Sequence, residues 1–225
     1  MPATFRIARR DAAIYRQWAR WMLGLEFGPG DVPSSMTAAD ALFRQEEAVI
    51  RRVAATFAEH VLADAWGPEA CRQVHRGLRL EEPGLHGQPL PHDARYSHLR
   101  AVSFSESHDV ACFFADTGSE GLFALPIPNP VTGKIGLPPH GYVGTAVVSP
   151  DDVLLHWRYV LGTGSFFTEN PDDLRMVAHQ QEVTVRVQPG LTIELQAFHA
   201  CAGDYIARRY PGGVWEPAPV GFFAD

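Results

Sequence analysis

Three short stretches of this chain carry side chains whose types and spacing could do chemistry. Val74-His75-Arg76-Gly77-Leu78 sets an arginine inside an apolar strand pattern. A guanidinium held there can grip a phosphate through its planar five-donor fork. In Ala101-Val102-Ser103-Phe104-Ser105 the period of two turns Ser103 and Ser105 to one face and Val102 and Phe104 to the other. Two buried hydroxyls on one face need hydrogen-bond partners. Gln180-Gln181-Glu182 opens the run Val183-Thr184-Val185-Arg186-Val187. Read as strand, it puts Gln180 and Glu182 on a common face about 6–7 Å apart. A carboxylate at the mouth of an apolar strand, reached through a long connection, suits catalysis. Taken singly, each stretch also reads as plain structure: a salt-bridged arginine, a chance pair of serines, a solvated charge.

The commoner chemistries lack their motifs. Gly162-Thr163-Gly164-Ser165-Phe166-Phe167 misses the third glycine of a dinucleotide fingerprint and opens no clear helix. The sequence holds no phosphate-binding Gly-x-x-x-x-Gly-Lys loop, no Gly-x-Ser-x-Gly elbow and no His-Glu-x-x-His. His108 and Cys112 stand four apart, as do Cys71 and His75. Neither pair has a third or fourth ligand beside it, so no metal is expected.

The elements that must position these residues follow from periodicity. Ile14, Trp18, Trp21, Met22 and Leu25 recur at helical spacing over Arg9–Leu25, and Phe27-Gly28-Pro29-Gly30 ends that helix. Thr37 reads as the N-cap of a second helix, whose apolar face runs Leu42, Val49, Ile50, Val53, Phe57, Val61, Leu62 up to Gly67-Pro68. Glu46 is the one polar residue on that face. After Pro68 the pattern turns to strands near Gln73–Leu80, Leu99–Ser105, Leu122–Pro126, Gly141–Val148, Glu182–Val187 and Thr192–Gln196. A helix over Ser107–Ala115, capped by Ser107, turns Val110, Phe113 and Phe114 inward. Gly118 to Gly141 and Arg158 to His179 read as long connections, the kind that usually carry function. The expected class is α+β: N-terminal helices packed on a mostly antiparallel sheet assembly. Residues 1–68 form a helical lead-in and residues 69–225 the core, together one compact body.

The 225 residues are 46% hydrophobic and 20% charged, a globular composition. No apolar run reaches the roughly 18–20 residues that span a bilayer, and Met1–Arg10 does not read as a secretory signal. A net charge of −7 argues against a protein held on nucleic acid mainly by electrostatics. Cys71, Cys112 and Cys201 are too few for a disulfide framework, so a reducing compartment is expected. The cytoplasm fits, or delivery into a target cell by a signal-independent route.

In order, the three stretches resemble the mono-ADP-ribosyltransferases of the Arg–Ser–Glu class, which includes many bacterial toxin enzymes. In that family an arginine on the first strand precedes a Ser-Thr-Ser-like strand. A long substrate-recognition loop then leads into Gln/Glu-x-Glu. Arg76, Ser103-Phe104-Ser105 and Gln180-Gln181-Glu182 match this order, 27 and then 79 residues apart. Asp109–Ala115 is similar to the family's helix after the serine strand. The likeness covers Cys71 to Gln196. Phe104 replaces the usual threonine, and His75 precedes the arginine where an aromatic residue is common. His75 invites comparison with the His–Tyr–Glu class, but Tyr96 and Tyr142 do not supply its tyrosine.

The resemblance implies a two-sheet ADP-ribosyltransferase core and cleavage of the nicotinamide–ribose bond of NAD, the co-substrate. The oxocarbenium-like transition state resembles that of glycoside hydrolysis. Glu182 then stabilises the positive charge and holds the ribose 2′-hydroxyl, Ser103 orients Glu182, and Ser105 supports both. Arg76, with Gly77 beside it, meets the pyrophosphate. Gln180 faces the acceptor. By family analogy glutamine there goes with an Asn or Gln side chain or a guanine base, which an amide can both donate to and accept from. Phe166 and Phe167 serve acceptor recognition, or else anchor their loop in the core. The implied protein is a bacterial toxin or effector with a macromolecular acceptor, protein or nucleic acid, and a neutralising immunity or antitoxin partner. Two alternatives remain: a NAD glycohydrolase on the same fold, and a non-catalytic binding module built on the same residues.

Overall fold

The computed structural model describes residues 7–25, 32–67, 71–79, 89–90, 100–117, 135–137, 141–187, 191–209 and 215–217. In chain order its elements are α1 (Arg9–Met22), α2 (Val32–Phe57), a π-helical turn (Ala58–Leu62), α3 (Ala63–Trp66), β1 (Arg72–Arg79), β2 (Pro89–Leu90), β3 (Ala101–Ser105), α4 (His108–Thr117), β4 (Ile135–Leu137) and β5 (Gly141–Val148). Then come β6 (Val153–His156), α5 (Trp157–Thr163), α6 (Pro171–Gln180), β7 (Glu182–Arg186), β8 (Ile193–Ala197), α7 (Phe198–Cys201), α8 (Gly203–Arg209) and β9 (Trp215–Pro217). The fold is α+β. The expected strand Leu122–Pro126 lies outside the described residues, as does Tyr96. Among the described residues no helix is long and apolar enough to cross a membrane.

The chain divides into two compact units. The first joins Met1–Val74 to Pro91–Glu106 and Ala146–Thr192. The N-terminal helices thus fall in one unit with β3, β6, β7, α5 and α6. Here β7 pairs antiparallel with β3 on one side and β6 on the other. Aromatic side chains fill the space between helices and strands. Phe57 stacks on Tyr15 and Tyr159, with centroids 5.4 and 5.3 Å away, and Phe167 lies 5.8 Å from Phe57. Burying each such ring contributes about 1.5–3 kcal/mol. Tyr15 OH donates to the Leu154 carbonyl at 2.7 Å, fixing α1 on β6.

Three readings of this unit change. The second helix starts at Val32, so Thr37 lies within it and does not cap it. Pro33 falls in its first turn, where a missing N–H costs nothing. Glu46, the polar residue on the apolar face, is where the helix departs from helical dihedrals (φ −124°, ψ 25°), and it meets Arg10 of α1 at 3.6 Å. Second, β6 was not expected. Its run Val-Leu-Leu-His is buried at every position, so it lacks the alternation that marks a half-buried strand. Third, Arg158 to His179 is not a long loop. It holds most of α5, a short 3-10 turn (Gly164–Phe166) and α6. The Asn170 side chain accepts from the Asp172 amide at 3.0 Å, Pro171 opens the helix, and Asp172 and Asp173 occupy its first turn. These are ordinary helix-start signals.

The second unit comprises His75–Leu90, Ser107–Thr145 and Ile193–Asp225. Its strands lie in the order β2-β8-β5-β1, with β8 antiparallel to both β2 and β5. A parallel pair, β4 and β9, stands apart from them. Ser107 caps α4 through the Val110 amide. The inward face of α4 is Ala111, Cys112 and Ala115, packed with Val143, Phe198, Ala202 and Ile206, whereas Phe113 and Phe114 are only half-buried. Gly77 supplies the reason. A Cβ there would sit 2.1 Å from the Ala111 carbonyl and 2.5 Å from the Ala115 amide. The helix backbone rests directly on the strand, and only small residues fit beneath it.

Candidate functional site

The site in the first unit is built by the β3–β7 ladder. Ser103 pairs with Thr184 and Ser105 with Glu182. Residues directly opposite share a face, and so do residues two apart. Ser103, Ser105, Glu182 and Thr184, with Arg186 two residues further on, therefore line one face of two strands whose other face is apolar. Across the diagonal, Ser103 Oγ donates to Glu182 Oε1 at 2.6 Å. Thr184 Oγ1 donates to the same oxygen at 3.2 Å. Hydrogen bonds to a carboxylate are short and stronger than neutral ones. Thr184 is fully buried, Ser105 nearly so, and Ser103 and Glu182 are half-buried.

The turn leading into Glu182 is fixed as tightly. Gln180 is the last residue of α6, and Gln181 is the one non-glycine residue with positive φ among the described residues (φ 48°, ψ 43°). Strand geometry starts only at Glu182. Gln180 and Glu182 therefore do not alternate along one strand, which corrects the expected shared face. The helix cap signals at Asn170 carry α6 up to Gln180, and the left-handed residue reverses the chain. Ser105 Oγ donates to the Gln180 carbonyl at 2.6 Å, and the Glu106 amide donates to the Gln181 carbonyl at 3.1 Å.

Directly after the serine strand stands Glu106, which the sequence reading passed over. Trp66 Nε1 donates to its Oε1 at 2.7 Å and Trp157 Nε1 to its Oε2 at 2.6 Å. His156 Nε2 lies 3.4 Å from Oε1. Burial alone pushes this carboxyl up, but the donors on His156, Trp157 and Trp66 outweigh it and hold the pKa at about 2. Burial drives the His156 pKa down, with Glu106 opposing. The Arg158 amide donates to His156 Nδ1 at 3.1 Å, so the neutral ring carries its proton on Nε2, facing the carboxylate. In the sequence Glu106 is one acidic residue in a polar turn, and its partners are 40 or more positions away.

The remaining expected site residues lie as follows. Arg76 is half-buried on β1 in the second unit, and so is Gly77. The close approach of Gly77 to the backbone of α4 gives it a packing role. Phe167 is 1% exposed, and Phe166 packs against both Phe57 and Phe167. Of the two expected roles for this pair, the anchoring one matches the geometry, and Phe167 is closed to any acceptor. Next to Arg76, His75 meets Thr145 Oγ1 at 3.0 Å and the His108 ring at 5.1 Å. Burial first, and then His108, hold its pKa down at about 4. Cys112 contacts His108 at 3.5 Å, and its thiol is pushed up to about 12, chiefly by burial, which leaves it inert. Among the described residues no cluster of His, Cys, Asp and Glu could hold a metal ion.

No protein-family model, no curated protein and no solved structure matches the chain.

Proposed function

We propose that this chain is a mono-ADP-ribosyltransferase of the Arg–Ser–Glu class, of the toxin or effector type. It splits the nicotinamide–ribose bond of NAD and moves ADP-ribose to an Asn or Gln side chain or to a guanine base. The observation that carries this reading is the 2.6 Å hydrogen bond from Ser103 Oγ to Glu182 Oε1 between adjacent strands. Two hydroxyls on one oxygen fix the direction of the carboxylate before any substrate arrives. A preoriented anion lowers the barrier because it meets positive charge that grows only towards the transition state.

Within this reading Glu182 faces the ribose, Ser103 and Thr184 hold it, and Ser105 secures the turn through Gln180. The Gln180 amide, at the end of α6, offers both a donor and an acceptor to an amide or guanine edge. Arg76 keeps the pyrophosphate contact that the resemblance gives it. The two-sheet core of the class belongs to the same proposal, as does a neutralising partner, since an enzyme that consumes NAD endangers its own host.

One observation favours water as the acceptor, which would make the chain a NAD glycohydrolase. Phe167 is buried and Phe166 is half-buried against it and Phe57, so this pair offers a macromolecule at most part of one ring. Labelled NAD added to a cell lysate separates the possibilities. Label lost on protease treatment identifies a protein acceptor, and label lost on nuclease treatment a nucleic-acid acceptor. Nicotinamide release without incorporated label identifies the glycohydrolase. No label and no nicotinamide removes NAD chemistry and leaves a binding module.

A further inference from the structure

Glu106 accepts from two indole N–H groups, Trp66 at the end of α3 and Trp157 at the start of α5, and the His156 ring at the end of β6 stands 3.4 Å from its Oε1. The rings brace one another. His156 lies edge-on to Trp66 at 5.4 Å and stacked on Trp157 at 5.8 Å, and His156 itself is fully buried. The backbone of Glu106 reaches the opposite way, donating to the Gln181 carbonyl at 3.1 Å. One residue thus ties the helical layer to Gln181, the left-handed residue that precedes Glu182.

That position is strained for a residue with a Cβ, so external contacts must hold it. The Gln181 amide is engaged by Val177 and its carbonyl by Glu106. If the Glu106 contact loosens, the turn can relax, and Glu182 is the next residue along. Because side chains alternate faces along a strand, even a partial slip of this turn moves Glu182 away from Ser103.

We propose that Glu106 is a positioning residue for Glu182, and that the indoles of Trp66 and Trp157 set the α6–β7 turn through it. The catalytic consequence rests on the ADP-ribosyltransferase reading, whereas the geometric claim does not. A merely structural hub would lower stability and leave the turn and the chemistry of the folded protein alone.

Trp157→Phe tests this, because it keeps the ring on His156 and deletes the N–H that meets Oε2. Glu106→Gln is the stronger variant, since an amide must turn a donor towards one of the indoles. Amide hydrogen exchange is followed by NMR together with kcat and KM for nicotinamide release, all well below each variant's melting midpoint. The expected result for Trp157→Phe is exchange about tenfold faster at Gln181 and Glu182, with the Tyr15–Phe57 core unchanged. For NAD cleavage, kcat falls up to about 100-fold, the scale of an ångström-level misplacement, and KM for NAD stays within about twofold. Unchanged exchange at Gln181 and Glu182, or unchanged kcat in a variant that melts earlier, overturns the inference. If the wild type releases no nicotinamide, the functional reading fails, and the exchange data alone still decide whether Glu106 sets the turn.

Discussion

Ser103 donates to Glu182 across a diagonal of the β3–β7 ladder, and the residue directly opposite Ser103 is Thr184. Thr184 adds a second, longer bond to the same carboxylate oxygen. The carboxylate is therefore held from its own strand and from the neighbouring one.

Removing the two donors should separate their contributions. A hydrogen bond to a charged group is worth about 1.5–3 kcal/mol, so Ser103→Ala should lower kcat for NAD cleavage about 10- to 150-fold. Thr184→Val deletes the weaker bond and keeps the shape of a buried side chain. Its kcat should fall less, by about 3- to 10-fold, with the melting midpoint unchanged or raised. Steady-state kinetics beside thermal melts check both. A Thr184→Val protein with wild-type kcat would remove Thr184 from the site.

Acid should unfold the protein in two steps of different origin. His75 is held at about 4 against an ordinary 6.5. The unfolded chain binds this proton first, so the stability is complete above pH 6.5 and is lost as pH falls from 6.5 to about 4. Glu106 is held at about 2 against 4.5. Its contribution is complete above pH 4.5 and is lost as pH falls from 4.5 towards 2. Urea midpoints measured from pH 7 to pH 2.5 should show both slopes. His75→Phe should reduce the upper one, to which buried His156 also contributes, and Glu106→Gln the lower one. A wild-type midpoint independent of pH between 6.5 and 4 would contradict the account of His75.

Gly77→Ala discriminates packing from cofactor contact. The added methyl group meets backbone atoms of α4, which cannot swing aside as a side-chain end can. The cost should reach the upper part of the usual overpacking range, about 3 kcal/mol, read as a lowered urea midpoint without any NAD present. Gly162→Ala, where nothing lies within 4 Å, is the control and should be near neutral. Equal stability of the two variants would show that α4 does not rest on Gly77 as described.

Phe167→Ala should cost about 3–5 kcal/mol of stability, as large aromatic deletions in a core do. Per folded molecule, nicotinamide release should be unchanged. A stable Phe167→Ala protein that has lost transfer to an acceptor would restore the recognition role and refute the core assignment.

Much of this was legible in the sequence, for reasons that particular residues make plain. The alternation in Ala101–Ser105 and the apolar run after Glu182 mark β3 and β7 because each carries β-type residues with a polar face and an apolar face. The order of Ser103 and Glu182 suggested a contact that the ladder then supplies. β6 was missed because all four of its residues are buried, which erases the period. α6 is announced by Asn170-Pro171-Asp172-Asp173, but its ten residues carry few apolar positions, so its helical period is weak beside that cap. The Glu106 cluster could not have been read at all. Two tryptophans and a histidine converge on it from three elements, and no local pattern records a meeting that only tertiary folding creates.

We propose Glu182 as a preoriented catalytic carboxylate for NAD, and one paired measurement tests that role most directly. Nicotinamide release and thermal melting are compared for the purified wild type and Glu182→Gln. The account predicts steady release by the wild type and at least a 100-fold loss in the variant, with a melting midpoint equal or higher because active-site groups are held at some cost to stability. Contradiction would be no release by either protein together with a lowered midpoint for Glu182→Gln. In that event Ser103, Thr184 and Glu182 form a structural network, and the chain is a binding module.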